Sequence, residues 1–139
     1  MKVKEMMHNG AEYVAPNATL QEVAKKMRDY DIGSIPVCEG GKVVGIVTDR
    51  DIAVRAIANG KDAGALAAKD VMSRDVVFCR DNENAEDAIR IMEDRQIRRL
   101  PVLNEAKQLV GMVSLGDISH ALSQDLTAEV TKAVSAHHI

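Results

Sequence analysis

The sequence is poor in aromatic residues, in cysteine and in long apolar runs. Of its 139 residues, two are Tyr, one is Phe and none is Trp, which leaves no stacking platform for single-stranded nucleic acid. The formal charge of −3, from 18 Lys and Arg against 21 Asp and Glu, argues against a broad basic face for duplex nucleic acid or an anionic membrane. Cys38 and Cys79 have no metal-like spacing, so reduced, buried thiols are the favoured interpretation.

Membrane spans and secretory signals are also missing from the sequence. Apolar runs such as residues 43–47 fall far below the roughly 18 to 20 residues that a membrane helix needs. The first nine residues include Lys2, Lys4 and Glu5 and have no apolar segment of the secretory type. With 46% hydrophobic and 28% charged residues, the composition excludes disorder and a disulfide-rich scaffold. These features predict a soluble domain in the cytoplasm.

The chain contains an internal repeat. Seven residues recur at a shift of 65 and four more at a shift of 66. The pairs are Met7 with Met72, Asn17 with Asn82, Met27 with Met92, Asp29 with Asp94, Ile32 with Ile97, Pro36 with Pro101 and Val37 with Val102, then Gly45 with Gly111, Val47 with Val113, Asp51 with Asp117 and Ile52 with Ile118. The extra residue falls in a predicted turn, where insertions are best tolerated, so the pattern indicates a duplicated unit.

Each half predicts the element order β-α-β-β-α, which makes the fold class α/β (α+β). The first helix of each half has apolar residues at helical spacing, and its start is marked by Thr19 with Glu22 or by Asn84 with Asp87. The predicted extended segments are residues 12–15, 35–38 and 43–47 in the first half and 76–79, 100–103 and 109–113 in the second. The turn between 35–38 and 43–47 is predicted at Glu39, Gly40 and Gly41. Second helices are predicted near residues 51–58 and 117–122, with Gly60 ending the first of them. One unit alone has too little core, so the halves are expected to pack about an approximate twofold axis.

The turn between the last strand and the second helix is the most specific local feature. In both halves the strand runs into the helix through a hydroxyl residue, Thr48 or Ser114, and Asp51 or Asp117 follows three positions later. One interpretation is the ordinary N-cap that starts a helix. The other is a ligand site, in which free backbone donors bind an anion and the carboxylate binds the hydroxyls of a ribose. The repetition of the turn favours the second interpretation.

Arg98 and Arg99 supply the positive charge that phosphate recognition needs, because a guanidinium fork binds phosphate oxygens in two places. At a shift of 65 the first half has Gly33 and Ser34, so the halves are not equivalent. Arg50, at the first of the two turns, is the candidate for the same role in the first half. Solvent-exposed surface side chains are the alternative interpretation of these arginines.

These residues resemble a known family. Two β-α-β-β-α units, with Ile-Pro-Val at 35–37, Leu-Pro-Val at 100–102 and two Gly-apolar-apolar-Thr/Ser-x-x-Asp turns, are similar to a tandem cystathionine-β-synthase (CBS) domain pair, also called a Bateman module. The resemblance extends from about Val3 to Ser123. It implies CBS motif 1 at residues 1–62, CBS motif 2 at 63–125 and a tail at 126–139, together forming one module.

The resemblance also implies a nucleotide site. Asp51 and Asp117 look like the ribose-binding aspartates of the family, and Thr48 and Ser114 look like the hydroxyls beside the sugar and phosphate. The pocket of Asp117 is expected to be the better formed of the two. The resemblance implies no catalytic residue and no metal ligand.

Further site residues follow from the same resemblance. Arg98 and Arg99 match positions from which basic residues reach phosphates in the adenylate-sensing kinase subunit of the family, whereas Gly116 stands where that subunit has a serine. In the family pattern the N-terminal part of one half completes the pocket of the other half. This implies that Ala18 and Val23 face the Asp117 pocket. The implied set is completed by Leu115, Pro101, Ile35, Pro36 and Arg50.

The function that the resemblance implies is regulatory binding of an adenosine-containing ligand, namely AMP, ADP, ATP, NAD or S-adenosylmethionine. The bound nucleotide would be a ligand and not a catalytic cofactor, and the signal would be a conformational change of a homodimer. The chain looks like the small stand-alone type, for which a separate protein target is supposed. Neither nucleic acid nor a membrane is an expected partner.

Three other interpretations of the sequence are open. A CBS-fold interaction module with empty pockets, acting through a protein partner, is the main alternative. An enzyme is disfavoured because the sequence has no nucleophile with an assigned base, no Walker loop and no HExxH motif. A metal protein is disfavoured because His8, His120, His137 and His138 have no helical ligand spacing apart from the adjacent pair near the C-terminus.

Overall fold

The computed structural model describes residues 1–121 and 131–135. It is a mixed α+β fold, as predicted, and it divides into two compact units. The first-repeat unit is Glu12–Val76. The second-repeat unit combines Met1–Ala11 with the described residues from Val77 onward.

The helices and strands follow the predicted order, except that the first predicted extended segment, residues 12–15, forms only a single-residue bridge at Val14. Along the chain they are a 3₁₀ turn (Val3–Glu5), β1 (His8–Asn9), α1 (Leu20–Tyr30), β2 (Ser34–Glu39), β3 (Lys42–Thr48), α2 (Asp49–Asp51) continuing as a π-helical turn (Ile52–Ile57), α3 (Ala68–Val71), β4 (Cys79–Arg80), α4 (Ala85–Arg95), β5 (Arg99–Leu103), β6 (Leu109–Ser114) and α5 (Leu115–Ala121). Residues 131–135 are also helical. Within residues 1–121 and 131–135, no helix combines the length and apolar character required to cross a bilayer.

The sheets of the two units have the same topology. In the second-repeat unit the strand order is β1-β6-β5-β4, and β4 and β5 are parallel while the other neighbours are antiparallel. In the first-repeat unit the antiparallel pair β2-β3 has single-residue bridges on its two sides, Val14 to Val37 in parallel and Ser73 to Ile46 in antiparallel direction. The sequence repeat is therefore also a repeat of sheet topology. In the first-repeat unit, single-residue bridges take the places of the edge strands β1 and β4.

The short segment that precedes each repeat packs on a strand of the other repeat. Met7 and β1 lie on Gly111 of β6, where a Cβ would be 2.9 Å from Met7 Sδ. Met72 lies in the same way on Gly45 of β3, and Ser73 exchanges two 2.9 Å backbone hydrogen bonds with Ile46. The two spatial units therefore do not coincide with the first and second halves of the chain. The domain boundaries at residues 1–62 and 63–125 stay a prediction from the sequence.

The predicted capping box of α1 is confirmed. The N–H of Glu22 donates to the Thr19 hydroxyl at 3.2 Å, and the N–H of Thr19 donates to the Glu22 carboxylate at 3.0 Å. The apolar face that begins here is buried, with Leu20 and Val23 fully enclosed. The matching face of α4 is buried through Ala85, Ala88, Ile89 and Met92. Both first helices thus pack on their units through the face that the helical spacing predicts.

The second helices begin earlier than predicted, at Asp49 and Leu115 instead of residues 51 and 117. Thr48 is the N-cap of α2, and the residue after an N-cap already has helical geometry. Gly60, which was predicted to end the first of these helices, lies three residues after its last helical residue, Ile57, and has a φ of +69°. The predicted C-terminal limit of the other helix, residue 122, lies outside the described residues. Of the predicted extended segment 76–79, Cys79 alone pairs with β5, and β4 continues to Arg80.

Candidate functional site

The two strand-to-helix turns are built alike. In the second-repeat unit, the N–H of Ser114 donates to Asp117 Oδ2 at 2.8 Å, and the N–H of Asp117 donates to Ser114 Oγ at 3.1 Å. In the first-repeat unit the same two bonds join Thr48 and Asp51 at 2.9 and 3.1 Å. The helix-start interpretation of this motif is therefore correct. Because it uses only Oδ2 of each carboxylate, Oδ1 is left for another contact.

The second oxygen faces a different group in each unit. Asp117 Oδ1 lies 3.0 Å from Nε2 of His8, and the Asp117 side chain is 14% exposed. Asp51 Oδ1 lies 3.7 Å from Nε of Arg55, and the Asp51 side chain is 17% exposed. His8 was missed as a site residue because only the non-local pairing of β1 with β6 brings it there. Its counterpart at the shift of 65 is Ser73.

A cleft opens beside the Ser114 turn, with a volume of about 410 Å³. Five of the predicted site residues line it together: Arg98, Arg99, Ser114, Leu115 and Gly116. Ser119, Thr131 and Ser135 also line it and were not predicted. Asp117 lies beside the cleft through its two bonds with Ser114, and Pro101 is buried within β5. The volume falls in the range of small-molecule sites, about 300–1,000 Å³.

The cleft is electropositive at one side. Arg99 stands opposite Ser114 in the β5-β6 register, and the Arg98 carbonyl accepts the N–H of Leu115 at 2.8 Å. The Arg98 guanidinium donates to the hydroxyl of Ser135 at 3.1 Å. The backbone bond of Arg98 ties its position to the start of α5. Two guanidinium groups are thus placed next to hydroxyl and backbone groups, which is the donor set that a phosphate ester prefers.

The first-repeat turn has the same backbone and a different charge. Gly33 accepts the N–H of Asp49 at 2.9 Å, as Arg98 accepts that of Leu115. Ser34 stands opposite Thr48 in the β2-β3 register. Arg50 has an exposed side chain, and its N–H donates to Asp49 Oδ1 at 2.8 Å. The arginine pair therefore belongs to the second-repeat turn alone, as the sequence comparison predicted.

The remaining predicted site residues lie in the first-repeat unit. Val23 and Ile35 are fully buried in its core, Pro36 is buried in β2, and Ala18 packs against the same core half-buried. The structure thus groups five predicted residues in one cleft and places these four in the other unit. A contribution of Ala18 and Val23 to the Asp117 site stays a prediction.

Both cysteines are buried thiols in their units. Burial raises the pKa of Cys79 from 9.0 to about 12, with a smaller contribution from Glu83, and burial also raises the pKa of Cys38. Since the thiolate is the reactive form, we expect the native protein to react very slowly with Ellman's reagent at pH 8 and to release two equivalents when denatured. Fast reaction of the native protein would contradict this assignment.

The raised pKa of Cys79 makes the stability of the folded protein depend on pH. The folded thiol of Cys79 ionises at a higher pH than the unfolded thiol, so the unfolded chain loses protons first as the pH rises. The contribution to stability is therefore complete below about pH 9 and declines as the pH rises toward about 12. Urea unfolding at pH 8 and pH 10.5, compared with that of a Cys79→Ala variant, measures it.

Within residues 1–121 and 131–135, no group of three or more His, Cys, Asp or Glu side chains is placed to hold a metal ion. His8 and Asp117 form only a pair, and His120 is exposed on α5. His137 and His138, the adjacent pair near the C-terminus, lie outside the described residues.

Comparisons with known proteins identify the fold family. The CBS domain-containing protein YhcV of Bacillus subtilis is 44% identical over 117 residues, which are 84% of this chain and 82% of YhcV. Hypoxic response protein 1 of Mycobacterium tuberculosis is 31% identical over 132 residues, or 94% of this chain and 92% of that one. A crystal structure of Hypoxic Response Protein I, which has two coordinated zinc ions, superposes with a TM-score of 0.79 over 88% of this chain and 99% of that one, at 32% identity.

A structure with bound nucleosides is also similar. The CBS domain pair of protein MJ0100, in complex with 5′-methylthioadenosine and S-adenosyl-L-methionine, superposes with a TM-score of 0.72 at 28% identity, over 87% of this chain and 94% of that one. The family model of the CBS domain matches residues 3–57 and again residues 68–124. These two matches coincide with the two β-α-β-β-α repeats of the structure. The chain therefore belongs to the CBS domain family and carries two CBS domains in tandem.

Proposed function

We propose that this protein is a regulatory module that binds an adenosine-containing nucleotide at the second-repeat turn. The observation that carries the proposal is the cleft of about 410 Å³ that brings Arg98 and Arg99 together with the Ser114 turn. Support from a relative comes from the MJ0100 domain pair, whose ligands contain adenosine. AMP, ADP, ATP and NAD, which carry phosphate, are the candidate nucleotides, and S-adenosylmethionine, which has a carboxylate in place of phosphate, is the candidate adenosine ligand without one.

Different groups at the cleft would bind the phosphate and the ribose of such a ligand. The guanidinium groups of Arg98 and Arg99 would bind phosphate oxygens, with the hydroxyl of Ser114 and the backbone of Gly116 beside them. The ribose hydroxyls would donate to Asp117 Oδ1, because Oδ2 is already used by the backbone. The ribose would therefore displace the imidazole of His8 from that oxygen.

The first-repeat turn is proposed as a weaker site formed by Thr48, Arg50 and Asp51. Its Asp51 has the same backbone bond through Oδ2 and a comparable exposure. It has Gly33 and Ser34 where the other turn has its arginine pair. Without that pair, phosphate recognition depends on Arg50 alone, so we expect weaker binding there.

The proposed mode of action is regulation and not catalysis. Ligand binding would favour one of two arrangements of a cytoplasmic homodimer, and the difference in affinity for the two arrangements would be the signal to a protein target. The alternative is a CBS-fold interaction module whose clefts stay empty and which acts through a protein partner.

A ligand screen by thermal shift, confirmed by calorimetry, tests the proposal. We expect at least one of AMP, ADP, ATP, NAD, NADH and S-adenosylmethionine to raise the Tm. A ligand at 100 times its Kd stabilises by about 2.7 kcal/mol, which is several degrees for a domain of this size. If nucleotide-free protein shows no shift with any of them, the proposal is wrong and the interaction module takes its place.

A further inference from the structure

The helical residues 131–135 form one wall of the second-repeat cleft. Val134 is 1% exposed and belongs to the same apolar core cluster as Leu100 and Ile118. Thr131 and Ser135, four residues apart and so on one face of the helix, line the cleft. The segment is thus anchored by one apolar side chain, and two of its hydroxyl-bearing residues line the cleft.

Ser135 is the partner of the Arg98 guanidinium, which donates to its Oγ at 3.1 Å. An arginine side chain free in solvent loses rotamer entropy when it binds a ligand, and a hydrogen bond that holds it beforehand reduces that loss. The Ser135 hydroxyl still has its own proton to donate after accepting from Arg98. Both effects favour a phosphate at this side of the cleft.

The segment is a wall of the cleft and not a plug. Thr131 and Ser135 line the cleft, whose volume is about 410 Å³ while the segment is docked. A ligand can therefore occupy the cleft while the segment stays docked, and it need not break the bond between Arg98 and Ser135. The burial of Val134 gives the segment an attachment that is independent of the ligand.

We propose that residues 131–135 are part of the nucleotide site, with Ser135 as a positioning residue that holds Arg98 toward the ligand phosphate. The inference rests on the proposed function, in which Arg98 binds that phosphate. It assigns a role to a tail segment for which the sequence repeat and the CBS family match, both ending before residue 131, provide none.

The test compares AMP with adenosine, which has no phosphate, by calorimetry on the parent protein and on variants. Ser135→Ala is expected to weaken AMP binding about threefold to tenfold, the range for one ordinary exposed hydrogen bond, because Ser135 acts through Arg98, and to leave adenosine binding unchanged. Ser135→Thr keeps the hydroxyl and should restore the parent's preference for AMP. Lys132→Ala, an exposed change in the same segment, is the matched control and should behave like the parent.

The outcomes separate the two proposals. If the parent binds AMP and Ser135→Ala keeps the same ratio of AMP to adenosine affinity, the role of Ser135 is wrong while the proposed function stands. Tighter AMP binding by Ser135→Ala would also overturn it, since the segment would then compete with the phosphate. If the parent binds neither compound and no other ligand of the thermal-shift screen, the proposed function itself is wrong. The Tm of Ser135→Ala, expected to match the parent, shows that the fold is unchanged.

Discussion

Replacing Asp117 by alanine is expected to abolish nucleotide binding at the second-repeat cleft while leaving the protein folded. A carboxylate that accepts both ribose hydroxyls makes two hydrogen bonds to a charged group, each worth about 1.5–3 kcal/mol, so the Kd should rise at least about 100-fold. The loss of the bond between Asp117 Oδ2 and the Ser114 N–H should cost only about 1 kcal/mol of stability. Calorimetry with the best ligand of the screen measures the first effect, and urea unfolding measures the second.

Asp51→Ala is the matched control, because it removes the same capping bond from the other turn. We expect it to lower stability by a similar amount and to leave the high-affinity site intact. Unchanged affinity in the Asp117→Ala variant would show that this aspartate does not contact the ribose. Loss of binding in Asp51→Ala alone would move the site to the first repeat.

Replacing Gly111 by alanine is expected to cause a large loss of stability. The new Cβ would overlap the carbonyl oxygen of His8 and lie 2.9 Å from Met7 Sδ. The thioether of Met7 can move aside. The carbonyl of His8 cannot do so easily, because it belongs to β1, both of whose residues pair with β6. Overpacking of this kind costs about 1–3 kcal/mol, and we expect the upper end, with a fall in Tm of about 5–10 °C.

Gly64→Ala is the control for this prediction. A Cβ at Gly64 would meet only the Asp62 carboxylate, at 3.4 Å, and its backbone has no positive φ. We expect its Tm to stay within about 2 °C of the parent. Gly45→Ala should repeat the Gly111 effect in the first-repeat unit, because its Cβ would overlap Met72 and lie 3.0 Å from the Ser73 carbonyl. If Gly111→Ala were as stable as the parent, the close packing of β1 on β6 would be wrong.

The Gly111 variant also connects stability to the site. Because β1 carries His8 to Asp117, displacing β1 from β6 would remove the imidazole from Asp117 Oδ1. Asp117 would keep its bond to Ser114, which lies within the same turn. We therefore expect any folded fraction of Gly111→Ala to retain nucleotide binding, which separates the packing role of Met7 and β1 from the binding role of the turn.

Local chemistry made the elements and the turns predictable from the sequence. The capping box of Thr19 and Glu22, the glycine pair of the first hairpin and the hydroxyl-x-x-Asp turn depend on residues within four positions of one another. Gly40 and Gly41 have φ of +61° and +81°, the backbone that a two-residue hairpin requires. Each such feature forms by bonds that close within one turn of chain, so the sequence alone contains the information for it.

The sequence by itself determined that the chain is duplicated, that each half folds as β-α-β-β-α, and that Arg98 and Arg99 make the second turn different from the first. Only the tertiary structure decided that Met7 and Met72 each pack on a glycine of the other repeat, that His8 lies 3.0 Å from Asp117, and that Arg98 donates a hydrogen bond to Ser135. These contacts join residues tens of positions apart. Strand pairing and core burial select them from many alternatives of similar local chemistry, and no short pattern in the sequence records that choice.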